Sequence, residues 1–84
     1  MTKALITEQR FIDAINLTLR HDWPHNNSHC EVSALREVRY PDRNWEVELT
    51  SLGGANLLHT EECEQLLDKV INELVRKYNV QWIT

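Results

Sequence analysis

One ten-residue stretch concentrates the metal-capable side chains of this chain: His21, Asp22, His25, His29 and Cys30 lie within HDWPHNNSHC, and His59 and Cys63 follow later. Imidazole, thiolate and carboxylate are the donors that zinc-like ions take. The nearest candidate set is His21, His25 and His29. Their four-residue spacing would place them on one helix face, but Pro24 breaks helical geometry between the first two. Neither CxxC nor HExxH spacing occurs. His59 and Cys63 are four apart and would share a face if their helix starts early. Cys63 also falls on an apolar stripe, where a small buried thiol is the plainer role. A built site further needs groups that orient its ligands. Metal binding by the loop 21–30 is therefore the alternative reading, with adventitious capture of ions beside it.

Other chemistry finds less support. Cys30 follows His29, but neighbours on a strand point to opposite faces, so a nucleophile–base pair does not form there. Glu46 and Glu48 share a strand face without an implied pocket. Gly53-Gly54 lacks the surroundings of a phosphate loop. No catalytic residue and no cofactor is expected, and the chain reads as a non-enzyme.

Charge narrows the partners. Nine basic against thirteen acidic residues give a net charge of −4 with histidines neutral, where nucleic-acid binders usually carry a basic stripe. The second helix opens with Glu61 and Glu62, which repel phosphate. Tyr40 and Trp45 are assigned to the core and so offer no stacking platform. Nucleic acid is disfavoured, and an acidic inhibitor of a nucleic-acid-binding protein has only the charge in its favour. No apolar run approaches a membrane span, so no membrane partner is expected. Two cysteines, Cys30 and Cys63, are too few for a disulfide scaffold, and a cytoplasmic protein with reduced thiols is the expectation.

The elements that must position these residues are organised around 31–52, EVSALREVRY-PDRN-WEVELTSL. Two alternating runs flank a turn in which proline presets φ and Asp42 and Asn44 bond their own backbone. A four-residue loop pairs Tyr40 with Trp45, Val38 with Val47, and Arg36 with Leu49. Val32, Ala34, Val38, Tyr40, Trp45, Val47 and Leu49 then share the apolar face, with Arg36 the misfit. The outer face holds Glu31, Ser33, Leu35, Glu37 and Arg39 against Glu46, Glu48, Thr50 and Leu52. Arg39 meets Glu46 there, and Glu37 unfavourably meets Glu48.

A helix from the Thr7 N-cap to about Arg20 carries the stripe Phe11, Ile12, Ile15 and Leu19, with Leu17 off it. Pro24 follows, with Trp23 tucked against the helix end. Gly53 to Asn56 read as a flexible connection, and Leu57 and Leu58 as an apolar anchor. A second helix, capped by Thr60, runs to about Tyr78 with the broad stripe Cys63, Leu66, Leu67, Val70, Ile71, Leu74, Val75 and Tyr78. Val80 to Ile83 alternate as a short last strand, and Met1–Ile6 supplies either a small strand or a lead-in.

This pattern predicts one domain over 1–84 of the α+β class: two layers, an antiparallel hairpin-based sheet and two helices on one face, in the order α-β-β-α-β. The last strand is expected beside the first hairpin strand. A β-α-β-β-α-β ferredoxin-like plan is the alternative. Functionally, the sequence reads as a small protein–protein interaction module. Glu31, Glu37, Glu46 and Glu48, with Leu35 and Leu52, are the candidate contacts, and a homodimer is a natural supplement to so small a core.

Overall fold

The computed structural model describes residues 3–25, 28–53 and 59–82, and of Leu49 and residues 51–53 the backbone. The chain is α+β, with elements β1 (Ala4–Thr7), α1 (Glu8–Asp22), β2 (His29–Glu37), β3 (Trp45–Gly53), α2 (Thr60–Val75) and β4 (Tyr78–Gln81). The predicted order is present, with β1 ahead of it. The strands form two pairs rather than one sheet. β2 and β3 make the antiparallel hairpin, and β4 runs parallel to β1 instead of joining β2. A single ferredoxin-like sheet is therefore not formed.

The two pairs are joined by a side chain. The Asn44 amide donates to the Val80 carbonyl at 2.8 Å, and its oxygen accepts the Val80 N–H at 2.9 Å. An amide side chain thus does for β4 what a neighbouring strand's backbone would do. The Trp82 indole donates to the Asn44 carbonyl, and the Trp45 indole to that of Tyr78. Asn16 of α1 repeats the device on β2, bonding both the N–H and the C=O of Val32 at 2.7 and 3.0 Å. Such edge groups would otherwise lie partnerless against a helix.

α1 forms as its pattern predicts. Thr7 is extended at the N-cap position, without a side-chain cap bond, and Glu8 sits in the first turn. Phe11, Ile15 and Leu19 are fully buried, and Leu17 is exposed. The Trp23 N–H closes the helix on Leu19, and Pro24 prevents its continuation. α2 has His59 rather than Thr60 at the N-cap position. Its stripe buries Cys63, Leu67 and Val70 and half-buries Leu66, Ile71, Leu74 and Val75. It stops at Val75 because Tyr78 is taken into β4, where Tyr78 pairs with Ala4. At the centre the Phe11 ring meets Trp45 edge-on, with centroids 4.7 Å apart. Each such fully buried large side chain is worth roughly 1.5–3 kcal/mol.

The hairpin register differs from expectation. Trp45 faces Glu37 rather than Tyr40, and Val47 faces Leu35 rather than Val38. The turn is tighter: the Tyr40 N–H bonds the Arg43 carbonyl, leaving Pro41 and Asp42 as its central residues. Register shifts on both sides of Ala34 then break the two-residue period. Leu35 consequently turns inward and is 4% exposed, alongside Cys30 and Val32, whereas Tyr40 lies 45% exposed outside the core. The Arg36–Glu46 cross-strand ion pair replaces the expected Arg39–Glu46 pair, and Glu37 is not opposite Glu48.

The cysteines also depart from the expectation of reduced thiols. Both are buried, but Cys30 of β2 and Cys63 of α2 are joined in a disulfide across a Cα separation of 5.5 Å, within the span a disulfide bridges. Helical spacing identified Cys63 as inward-facing; only the fold brings β2 opposite it. Gly53, read as the first residue of a flexible connection, instead ends β3 opposite His29; residues 54–58, with the rest of that connection and the Leu57–Leu58 anchor, lie outside the described residues.

Candidate metal centre

The end of α1 and the start of α2 converge on three donors: His25, His59 and Glu62, whose ligating atoms all lie within 4.8 Å of one another. His25 is delivered by the stop of α1. Pro24 turns the chain, and the Trp23 indole N–H donates to the Ser28 carbonyl at 2.9 Å, closing the loop. Glu62 lies in the first turn of α2, where the helix dipole favours an acid. His59 is three residues ahead of it, a separation that stacks side chains on one helix face.

The contacts within the trio are close. His25 Nε2 and Glu62 Oε2 are 2.6 Å apart. The His25 and His59 rings stack with centroids at 3.6 Å and planes 13° apart, so their in-plane donor nitrogens run side by side and one ring tilts when both reach a single ion. Ser28 Oγ lies 3.1 Å from His59 Nδ1, which leaves His59 Nε2 as its other nitrogen. Trp23 walls the group, its ring edge-on to His25 at 5.0 Å and to His59 at 6.0 Å. Ser28 and Trp23 thus orient the donors, as the supporting shell of a metal site does. Both imidazoles are half-buried, and Glu62 is exposed and lines a cleft of about 310 Å³ with Trp23, Leu66 and Lys69.

Chemically, an ion would replace the hydrogen bond between His25 and Glu62. Bonds of about 2.0 Å in a tetrahedral site set donors about 3.3 Å apart, so the His25–Glu62 pair would open slightly and the trio, which spans up to 4.8 Å, would close around an ion. Two imidazoles and one carboxylate suit zinc and its neighbours in the first transition row, with one position left for water or an anion.

Of the set His21, His25 and His29, His25 alone enters this centre, joined by His59, which the sequence also offers as a metal-capable residue. His21 is exposed and pairs with Asp22 at 2.9 Å, and His29 lies 3.7 Å from Glu31. The set His21, His25 and His29 is therefore not assembled. By spacing His59 pairs in the sequence only with Cys63, and Glu62 reads only as a helix-start acid. The signal that finds them is the His59-x-x-Glu62 spacing at a helix start.

The residues of the expected partner face are dispersed. Glu37 and Glu48 are exposed, and Glu31 is half-buried. Glu46 binds Arg36 and accepts the Tyr40 O–H at 2.7 Å. That hydrogen bond foremost, assisted by the Arg36 charge, holds the Glu46 carboxyl below its usual range; the same bond and the Glu46 charge push the Tyr40 phenol up. Leu35 is in the core and presents no contact surface, and the Leu52 side chain lies outside the described residues.

Among the described residues no helix is long and apolar enough to cross a membrane. Comparison with protein-family models, curated proteins and solved structures finds no match to this chain.

Proposed function

We propose that this chain is a small, non-enzymatic metal-binding protein that holds one divalent ion of the zinc type between His25, His59 and Glu62. The observation that carries the reading is the convergence of these donors within 4.8 Å from two separate segments. The orienting contacts from Ser28 and Trp23 support it. The alternative drawn from the loop 21–30 survives in altered form, with one of its histidines and two donors from the start of α2. A cytoplasmic placement goes with reduced cysteines; a Cys30–Cys63 disulfide suits an oxidising environment better.

Calorimetric titration of Zn²⁺ into the untagged protein tests the proposal. One equivalent binds, and His59→Ala or Glu62→Gln weakens binding by at least about tenfold, whereas His21→Ala does not. Equal binding by the His59→Ala protein refutes the assignment.

Docking to a basic protein, with or without self-association, remains a second reading. The exposure of Glu37 and Glu48 on one hairpin favours it. The double change Glu37→Lys, Glu48→Lys should then abolish capture of that partner; unaltered capture removes this reading.

A further inference from the structure

We infer that the Cys30–Cys63 disulfide regulates the metal centre: its oxidation state sets how tightly His25, His59 and Glu62 hold an ion. The inference rests on the metal-binding reading above and adds a control to it. The donors arrive on two segments. His25 comes from the chain after α1, and His59 and Glu62 come on α2. The disulfide ties α2 to β2, the strand that follows the His25 loop, and both cysteines lie close in sequence to the site. Cys63 follows Glu62 directly and sits one helical turn after His59. Cys30 lies two residues after Ser28, which accepts the Trp23 indole proton and lies against His59. The bond fixes the first turn of α2 against β2 at a Cα separation of 5.5 Å. The same turn carries two of the three donors.

Opening the bond leaves every donor in the chain and removes the one covalent tie beside them, leaving the Trp23–Ser28 and Ser28–His59 contacts and core packing. A phosphine reductant shows the balance. Phosphorus attacks one sulfur, the S–S bond breaks, and water takes the phosphorus to its oxide while supplying the two protons of the thiols. Two electrons pass from phosphorus to sulfur. The donors must then be ordered in greater part by the ion itself, and affinity falls. Coupling of this kind is reciprocal: an ion that prefers the oxidised form makes the disulfide harder to reduce by the same factor. A tenfold preference corresponds to a potential about 30 mV lower for this two-electron couple. Both sulfurs are buried, at 2% and 6% exposure for their residues, so reduction needs a local opening that the bound ion opposes.

The test compares Zn²⁺ affinity, by calorimetry, of the oxidised protein with that of the Cys30→Ala, Cys63→Ala protein, which has no thiols to compete for the ion. The expected result is one equivalent in both, with affinity about 10–100-fold weaker in the variant, the range that loss of an orienting group produces. Equal affinities overturn the coupling and leave the metal centre standing. Absence of Zn²⁺ binding by the oxidised protein overturns both.

Should circular dichroism show the variant unfolded, the wild-type chain still decides the matter. The fraction of disulfide opened at a fixed phosphine concentration should fall when Zn²⁺ is added, and His59→Ala should remove that protection. Unchanged or increased opening in Zn²⁺ refutes the inference. So does tighter Co²⁺ binding by the reduced protein with a thiolate charge-transfer band, because the cysteines would then be ligands rather than a strut.

Discussion

The disulfide should dominate the stability of so small a chain, and its contribution can be worked out in advance. Cys30 and Cys63 are 33 residues apart. Closing a loop of that length removes chain entropy from the unfolded state worth about 3.7 kcal/mol at room temperature. An 84-residue domain unfolds with an entropy of about 2.1 cal/mol/K per residue, so that energy shifts the midpoint by roughly 20 °C. The perturbation is reduction, or the Cys30→Ala, Cys63→Ala substitution. The assay is thermal unfolding followed by far-ultraviolet circular dichroism, with metal chelated so that no ion contributes. Thiol counting in denaturant first establishes that the starting protein has no free cysteine, as the geometry requires. A midpoint shift below about 5 °C would refute the reasoning. It would mean either that the bond strains the native state or that the unfolded chain already keeps β2 near α2.

Three further outcomes are expected. Asn44→Ala strips Val80, which is 2% exposed, of partners for both its N–H and its C=O, and should cost about 2–4 kcal/mol in urea unfolding. Tyr40→Phe removes the hydrogen bond that chiefly holds Glu46 low, so the Glu46 carboxyl titration followed by NMR should move up toward the ordinary range. Because the folded Glu46 titrates below its unfolded value, its contribution to stability is present above the ordinary carboxylate range and is lost as pH falls through the lowered value; the variant should show a weaker acid dependence there. Zn²⁺ binding should weaken steadily on acidification, because protons and the ion compete for the imidazole nitrogens and Glu62, and calorimetric titrations at a series of pH values measure the slope.

Much of the fold is legible in local pattern. The α1 stripe is strong at the 3.6-residue period, and Pro24 marks its end, so Phe11, Ile15 and Leu19 are identified as core without any structure. The hairpin and its turn are legible for the same reason. Its register is not. The reading assumed an unbroken two-residue period, and the shifts around Ala34 turn Leu35 inward and place Tyr40 outside the core. A bulge leaves no distinctive composition in a run such as Ser33-Ala34-Leu35. At the candidate site, His25 stands out by residue type, and Pro24 rightly argues against a single helical face with His21. His59 and Glu62 are 34 and 37 residues further on than His25, and nothing local says that they return to it.

The sequence alone therefore determined the α+β class, the element order, most of the helical core and the acidic balance of the chain, because propensity, periodicity and charge act over a few neighbouring residues. Tertiary structure decided the separation into two strand pairs, their joining through Asn44, the Cys30–Cys63 bond and the meeting of His25 with His59 and Glu62. Each of these depends on groups distant in the chain being brought within bonding distance. That outcome is set by how α1, α2 and the hairpin pack against one another, a property of the whole core and not of any segment.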